Sequence, residues 1–552
     1  MLVGFGCARQ AERVVLISID TLRADHVGAY GAVDAHTPTL DAIAAAGVRF
    51  DAAISPAPLT LPSHSTLMTG LDPPEHGVRH NGVFRLEEEI PTLAEGLRSA
   101  GFETAAFVGA FVLARQFGLA RGFQHYDDSM LHKHSSHGML SVPERRAEEV
   151  VAAAMAWLED APDRFFVWVH VYDPHASYEA PPGFAAAVPG NPYAGEIAYT
   201  DAQLASLISF VQERWSDGRT LFVVTSDHGE SLGEHGESTH AYSLYDATQR
   251  VPLLMSGPGL PIGRVVEQVV TLKDVAPTVL TLVEAAPLPG ATGRSLLPLA
   301  NASDDEPRPA YLETLAPQFD WDWSPLLAVR TARHKYVRAP SPELYDLVLD
   351  PAETRNLAAA EPALVRELDA QLEALLADTR PVQPNLALAA EDRQRLQQLG
   401  YLVEDAQGEG ARDRPGEGRR LGVVGGVDPK DQMDVLRALN KANALHGQGR
   451  VGAALSILLE MGPQHSPIYQ NLLSAAALDS GDAQLAESAA RKAIVGWPRL
   501  LGAYFRLAAA LAAQGRQTEA RQVYEDALRI EPNDGATLVA LAGLVEAEGD
   551  LE

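Results

Sequence analysis

The chain has 552 residues, 46% of them hydrophobic, with 73 acidic against 44 basic side chains and a formal charge of −29. At about 100–200 residues per domain this is a multidomain chain with enough apolar residues for a sizeable core, and its charge repels phosphate backbones, which argues against a nucleic-acid partner. A single cysteine, Cys7, excludes a disulfide framework, and no run reaches the roughly 18 apolar residues of a transmembrane helix.

Residues 1–12 open with "MLVGFGCARQ", apolar and then polar, with Cys7 at the change. This segment reads either as the remnant of a lipoprotein signal, which would place the protein at the cell envelope with a lipid on Cys7, or as a short frayed terminus that leaves the cytoplasm open. "RVVLISID" (13–20) is a short β-branched run ending in an acid, the pattern of a buried parallel strand. "PTLDAIAAAGVRF" (38–50) has helical spacing between Pro38 and Gly47. In "TLPSHSTLMTG" (60–70), Thr60 stands just before Pro62 at the start of a helix that runs to Gly70. A hydroxyl there lies among unpaired backbone N–H groups at the positive end of the helix dipole, a place for an anion. The alternative is that Thr60 is only a helix N-cap. "IPTLAEGLRSAGFETAAFVG" (90–109) repeats helix, glycine, strand, and "DRFFVWVHVYDPH" (163–175) and "GRTLFVVTSDHGE" (218–230) are further strands. Strands alternating with helices predict an α/β fold with a mostly parallel sheet sandwiched by helices. The ligand crevice should lie beyond the strands' carboxyl ends, where Asp20, Asp173 and Asp227 are delivered.

From about residue 305 to 402 the pattern predicts a smaller lobe with an antiparallel sheet, including a hairpin over 326–340 that turns near Thr331–His334. A Gly-rich, charged stretch, 403–430, reads as a linker. Over 431–552 the chain repeats: Gly449, Gly481, Gly515 and Gly549 are spaced by 32, 34 and 34 residues, Ala454, Ala486 and Ala520 each follow a glycine by five, and Pro498 and Pro532 by 17. That is the tetratricopeptide (TPR) period, a helix–turn–helix unit that buries its apolar face only against its neighbour. An all-α solenoid with a protein or peptide partner is expected.

Asp20, Asp227 and His228 at strand ends, together with the Thr60 hydroxyl, make a candidate divalent-metal site. A metal would lower the hydroxyl's pKa and make it a nucleophile. Imidazole beside carboxylates favours zinc or manganese, with calcium or magnesium as alternatives. "HKHSSH" (His132, His134, His137) fits no ligand spacing and reads as an exposed loop, and His235 as a loop hydrogen bond or a group behind the ligands.

These motifs resemble, in order, those of the sulfatase family of the alkaline phosphatase superfamily. "VVLISIDTLRADHVGAYG" resembles its metal-binding strand, "TLPSHSTLMTG" its nucleophile motif and "SDHGESLGEHG" its Asp-His/Asn-Gly block. "YDATQRVPLLMSGPG", "LKDVAPTVL" and "ELYDLVLDPAETRNLA" resemble its later segments. The resemblance covers about 13–402 and implies an alkaline-phosphatase-like fold and a metal-dependent hydrolase of sulfate or phosphate esters. Three positions depart from it. Thr60 stands where sulfatases carry a Cys or Ser that becomes formylglycine, His64 where they carry Arg, and Thr21 where they carry a second Asp. Phosphodiesterase and lipoteichoic acid synthase relatives use an unmodified threonine, so the departures point to phosphate mono- or diesters. The resemblance further implies that Asn81 and His64 contact substrate and that His175 and His240 are catalytic. Asp173, His175 and His240 are candidates for a second metal. The competing readings are a phospho-group transferase of the envelope and a TPR scaffold whose enzyme-like domain does no chemistry.

Overall fold

The computed structural model describes residues 10–129, 145–176, 178–304, 306–377, 379–380, 382–386, 426–462, 464, 466–496, 500–530 and 535–548. Cys7, the histidines at 132, 134 and 137, Pro498, Pro532 and Gly549 lie outside the described residues, as does most of the expected linker.

The main sheet has nine strands: β1 Arg13–Ile19, β2 Val48–Ile54, β3 Glu103–Val108, β4 His125–Asp127, β5 Phe165–Val171, β6 Thr220–Ser226, β7 Arg250–Val251, β8 Leu253–Ser256 and β9 Arg264–Thr271. Their order is β4-β3-β5-β1-β6-β8-β2-β7, with β9 also on β2. The pairs β3·β4, β3·β5, β1·β5, β1·β6 and β2·β9 are parallel, whereas β6·β8, β2·β8 and β2·β7 are antiparallel. Every residue of β1, β5 and β6 is buried, as their β-branched runs require when both faces are covered. Side-chain parity divides the core. Val14, Leu16, Phe166 and Trp168 join Leu61, Leu67 and Met68 on one face. Val15, Ile17, Ile19, Val167 and Val169 join Leu204, Leu207 and Val211 on the other. The helix Thr60–Thr69 therefore lies on one side of the sheet and the long helix Pro192–Arg214 on the opposite side.

A second, antiparallel sheet follows: β10 Ala310–Thr314, β11 Leu326–Arg330, β12 His334–Arg338 and β13 Glu343–Asp346, in that order. The expected hairpin is β11–β12, its turn closed by Thr331 N–H on His334 O (2.8 Å) and His334 N–H on Thr331 Oγ1 (2.9 Å). Among the described residues no helix is long and apolar enough to cross a membrane.

Helices Met433–Gly447, Val451–Glu460, Pro467–Asp479, Ala483–Gly496, Leu501–Ala513, Gln517–Ile530 and Gly535–Glu548 form the repeat array. Gly449, Gly481 and Gly515 have φ of +73°, +86° and +77°, the left-handed turn for which glycine was spaced. Ala454, Ala486 and Ala520 are fully buried between helices. The last residues of the expected linker, 427–430, are in contact with the second lobe. Val427 O accepts from Ser324 N–H (2.8 Å), Asp428 Oδ2 from Ser341 N–H (3.0 Å), and Lys430 Nζ donates to Ser341 O (2.7 Å).

Candidate metal and nucleophile site

The register of the central strands assembles the site. Ile19 pairs with both Val171 and Ser226, so the next residue of β1, Asp20, stands beside Asp227 at the carboxyl end of the sheet. Asp227 Oδ1 accepts from the backbone N–H of His228 (2.8 Å) and Thr21 (3.2 Å), which leaves Oδ2 facing inward, 3.6 Å from His228 Nε2. His228 Nδ1–H is directed at Gly229 O (2.9 Å), which fixes the tautomer and turns the Nε2 lone pair inward, 4.0 Å from Asp20 Oδ1. All three side chains are fully buried. Both Asp20 oxygens, Asp227 Oδ2 and His228 Nε2 lack a hydrogen-bond partner. Four converging, buried, unpartnered acceptor atoms are costly without a cation and fit one with it: Asp20, Asp227 and His228 form a set whose ligand atoms lie within 4.8 Å of one another.

Without a cation the electrostatics are strained. Burial, then the Asp227 charge, pushes the Asp20 carboxyl well above the ordinary range, with His228 and the nearby Thr60 hydroxyl pulling it back. Asp227 is also buried, but His228, His64 and His170 hold it below its ordinary value.

Thr60 is the first residue of its helix and 2% exposed. The cap position is Leu59, in an extended conformation, and no side chain caps the helix, so Thr60 is not an N-cap. The other hydroxyls of the motif are occupied locally: Ser63 donates to Ala57 O (2.7 Å), Ser65 to Leu61 O (2.8 Å) and Thr69 to Ser65 O (2.7 Å). One of the helix's free N–H groups is taken as well. Leu61 N–H donates to Asn81 Oδ1 (2.9 Å), which leaves the buried Asn81 Nδ2 without a partner.

Two expectations are corrected. His64 is fully buried beneath the site, with Nδ1–H on Thr60 O (2.8 Å) and Nε2 paired with Ser18 Oγ (2.9 Å). With both nitrogens engaged it supports the Thr60 backbone and has none left for substrate. Asp173 is turned away from the centre. Its Oδ2 accepts from Ala147 N–H (2.8 Å) at the start of the helix Ala147–Glu159, and its Oδ1 lies 3.5 Å from Arg146 Nη1, so it is not a second-metal ligand. His175 and His240 do meet, ring centroids 5.1 Å apart, with His240 4.5 Å from the His228 ring. Burial lowers both to about 4. His235 stacks on Tyr245 at 3.6 Å, apart from this set.

Sequence reasoning missed two residues. His170, on β5 opposite Ser18, places Nε2 3.4 Å from Asp20 Oδ2, while its Nδ1 accepts from Gly109 N–H (3.3 Å). In the neutral ring Nε2 therefore carries the proton, and it has no hydrogen-bond partner. His64, His170 and Asp227 also cluster closely enough to hold a cation, but both His64 nitrogens are engaged and His170 Nδ1 already accepts from Gly109, which favours the Asp20, Asp227, His228 set. Glu230, buried beside Tyr178, pairs through Oε1 with His240 Nδ1 (2.9 Å), and burial raises it to about 7 against the pull of His175 and His228. Glu230 follows His228 by two and could have been read from "DHGE"; His170, hidden in an apolar strand, could not.

Residues 12–285 match the model of the sulfatase family, 233–381 that of the N-sulphoglucosamine sulphohydrolase C-terminal region, and 501–544 a tetratricopeptide repeat. Arylsulfatase K of Gallus gallus is 34% identical over 195 residues, 33% of this chain and 36% of that protein. The chain thus spans about a third of the length of the arylsulfatase K relatives it matches. The Delta 4,5-hexuronate-2-O-sulfatase of Bacteroides thetaiotaomicron is 25% identical over 484 residues, 74% of this chain and 98% of that one. Among solved structures, the phosphonate monoester hydrolase of Agrobacterium radiobacter has a TM-score of 0.57 at 22% identity, over 66% of this chain and 95% of that one. A 2-O GAG sulfatase has a TM-score of 0.56 at 22% identity, over 70% and 96%. The motifs, the strand-end carboxylates and these matches together place the chain, through residues 12–381, in the sulfatase family, with tetratricopeptide repeats at its carboxyl-terminal end.

Proposed function

We propose that the protein is a metal-dependent hydrolase of anionic esters, with Thr60 as nucleophile and phosphate mono- or diesters as substrates in preference to sulfates. The observation that carries this is the convergence of the inward, unpartnered atoms of Asp20, Asp227 and His228, with the Thr60 hydroxyl, which caps nothing, beside Asp20. A divalent cation held by those three residues would neutralise the paired carboxylates, favour the ionised hydroxyl and attract the substrate's non-bridging oxygens. The imidazole ligand favours zinc or manganese. The chain's own groups do the rest. Thr60 Oγ attacks in line, Asn81 Nδ2–H is free to donate to a non-bridging oxygen, and His64 holds the backbone that carries the nucleophile.

Thr60 is the reason for favouring phosphate. A formylglycine hydrate expels sulfate by collapsing to the aldehyde, whereas a threonine ester must be opened by water or another acceptor. The similar proteins include sulfatases and, by fold, a phosphonate monoester hydrolase, so this fold serves esters of sulfur and of phosphorus. Repeats of this kind commonly present a concave binding surface, and a protein or peptide partner belongs to the same proposal.

The test is turnover of matched aryl phosphodiesters, phosphomonoesters and sulfates by the chelator-stripped protein, reloaded with zinc, manganese, calcium or magnesium in turn. Metal-dependent turnover with phosphate esters ahead is expected. Faster sulfate turnover would overturn the phosphate preference, and no metal-dependent turnover of any ester would leave the scaffold reading.

A further inference from the structure

The reaction sketched above gives Thr60 a covalent ester but no group to open it. Three imidazoles crowd the site, and each has its Nδ1 turned to an oxygen. His228 Nδ1 faces Gly229 O (2.9 Å), His175 Nδ1 faces Ala176 O (2.7 Å), and His240 Nδ1 faces Glu230 Oε1 (2.9 Å). A ring nitrogen that faces a carbonyl oxygen, or a carboxylate in its ionised form, carries the proton, so the lone pair sits on the other nitrogen. Each ring therefore presents an Nε2 acceptor. That of His228 belongs to the cation set, and neither His175 nor His240 is part of either group able to hold an ion among the described residues. His240 differs from His175 in its partner. A backbone carbonyl holds His175, but a dedicated side chain, fully buried and ten residues away in sequence, holds His240. A buried carboxylate is costly to place, and the cation does not need this one.

We infer that Glu230 is a positioning residue that fixes His240 with its Nε2 lone pair available, and that His240 accepts the proton of the water that opens the Thr60 ester. This rests on the nucleophile assignment above. The water oxygen bonds to phosphorus, and its proton passes to His240 Nε2. The bond from phosphorus to Thr60 Oγ breaks with its electron pair on Oγ. That oxygen then regains a proton from His240, so one water is consumed, the phosphate product leaves and the threonine is restored.

The experiment uses the full-length, metal-loaded protein with an aryl phosphodiester, rapid acid quench, intact mass and peptide mapping. In Glu230→Leu the acceptor for Nδ1–H is lost. The first-turnover burst of aryl alcohol is expected to persist, the phosphoryl group to accumulate on Thr60, and steady-state kcat to fall by about 100-fold or more. Glu230→Gln, whose amide oxygen can accept the same N–H, should restore turnover to within about tenfold of wild type. His240→Gln should accumulate the same ester, and it serves if the leucine variant does not fold. An equal slowing of burst and steady state in Glu230→Leu, unchanged turnover in that variant, or a glutamine variant as impaired as the leucine one would overturn the inference. A labelled group found on a residue other than Thr60 in the wild type would instead remove the nucleophile assignment beneath it.

Discussion

At Asn81 one amide is asked to do two things: its oxygen accepts the Leu61 N–H (2.9 Å), and its buried nitrogen has no partner. Asn81→Asp keeps the acceptor and removes the donor, so kcat/KM for the ester should fall by about 100-fold while the melting temperature stays near wild type. Equal loss of both would mean that Asn81 serves only the fold. His76 shows the same logic without chemistry. Its Nδ1 accepts from Val78 N–H (3.1 Å) and its Nε2 is paired with Thr66 Oγ1 (3.0 Å). Burial, followed by Arg79 and Arg380, lowers it from the ordinary 6.5 to about 3. The folded ring stays neutral where the unfolded one takes up a proton. Its share of stability is therefore complete above pH 6.5 and is lost as the pH falls from there toward 3, by about 1.4 kcal/mol per unit for one such group. Denaturant midpoints measured from pH 7 to pH 4 should fall more gently in His76→Gln, and an identical slope in both proteins would contradict this.

Single elements decide how much could be read in advance. The strands that end at Asp20 and Asp227 were legible because an apolar, β-branched run broken by an acid has few other meanings in a parallel sheet, and the β1·β6 register then made neighbours of the two acids. Asp173 had the same signature and a different outcome. It stands two residues beyond Val171, where the backbone has left the sheet, and a helix start took its carboxylate. His64 was misread for a related reason: the sequence shows an imidazole one turn into the helix but not the Ser18 hydroxyl, itself held by Trp168 Nε1–H (2.9 Å), that pins its far nitrogen. The turn glycines of the repeats were legible because spacing alone marks them. Gly481→Ala, at φ +86°, should cost about 1 kcal/mol, visible as a lower melting temperature. No change would mean that the turn is not strained.

At the scale of the molecule the repeats are not a free appendage. Trp321 and Trp323, stacked at 4.7 Å in the second lobe, share one apolar cluster with Met433, Leu436, Leu439, Tyr469 and Leu472 of the array. Ser466 Oγ donates to Asp320 O (3.3 Å), and Asp320 Oδ2 accepts from Tyr242 O–H (3.0 Å), two residues from His240. Met433→Asp would bury a charge in this cluster. It should destabilise the catalytic lobe together with the array, by about 3 kcal/mol or more, in one merged transition by calorimetry. A normal catalytic-lobe transition beside a weakened helical one would show that the two parts fold independently. The measurement that bears most directly on the whole account is the kcat/KM of metal-loaded Thr60→Ala against wild type on the best aryl ester. A loss of at least about a thousandfold, with bound metal and melting temperature retained, is predicted. Activity within tenfold of wild type would contradict the account, because the hydroxyl beside Asp20 would then not be the nucleophile.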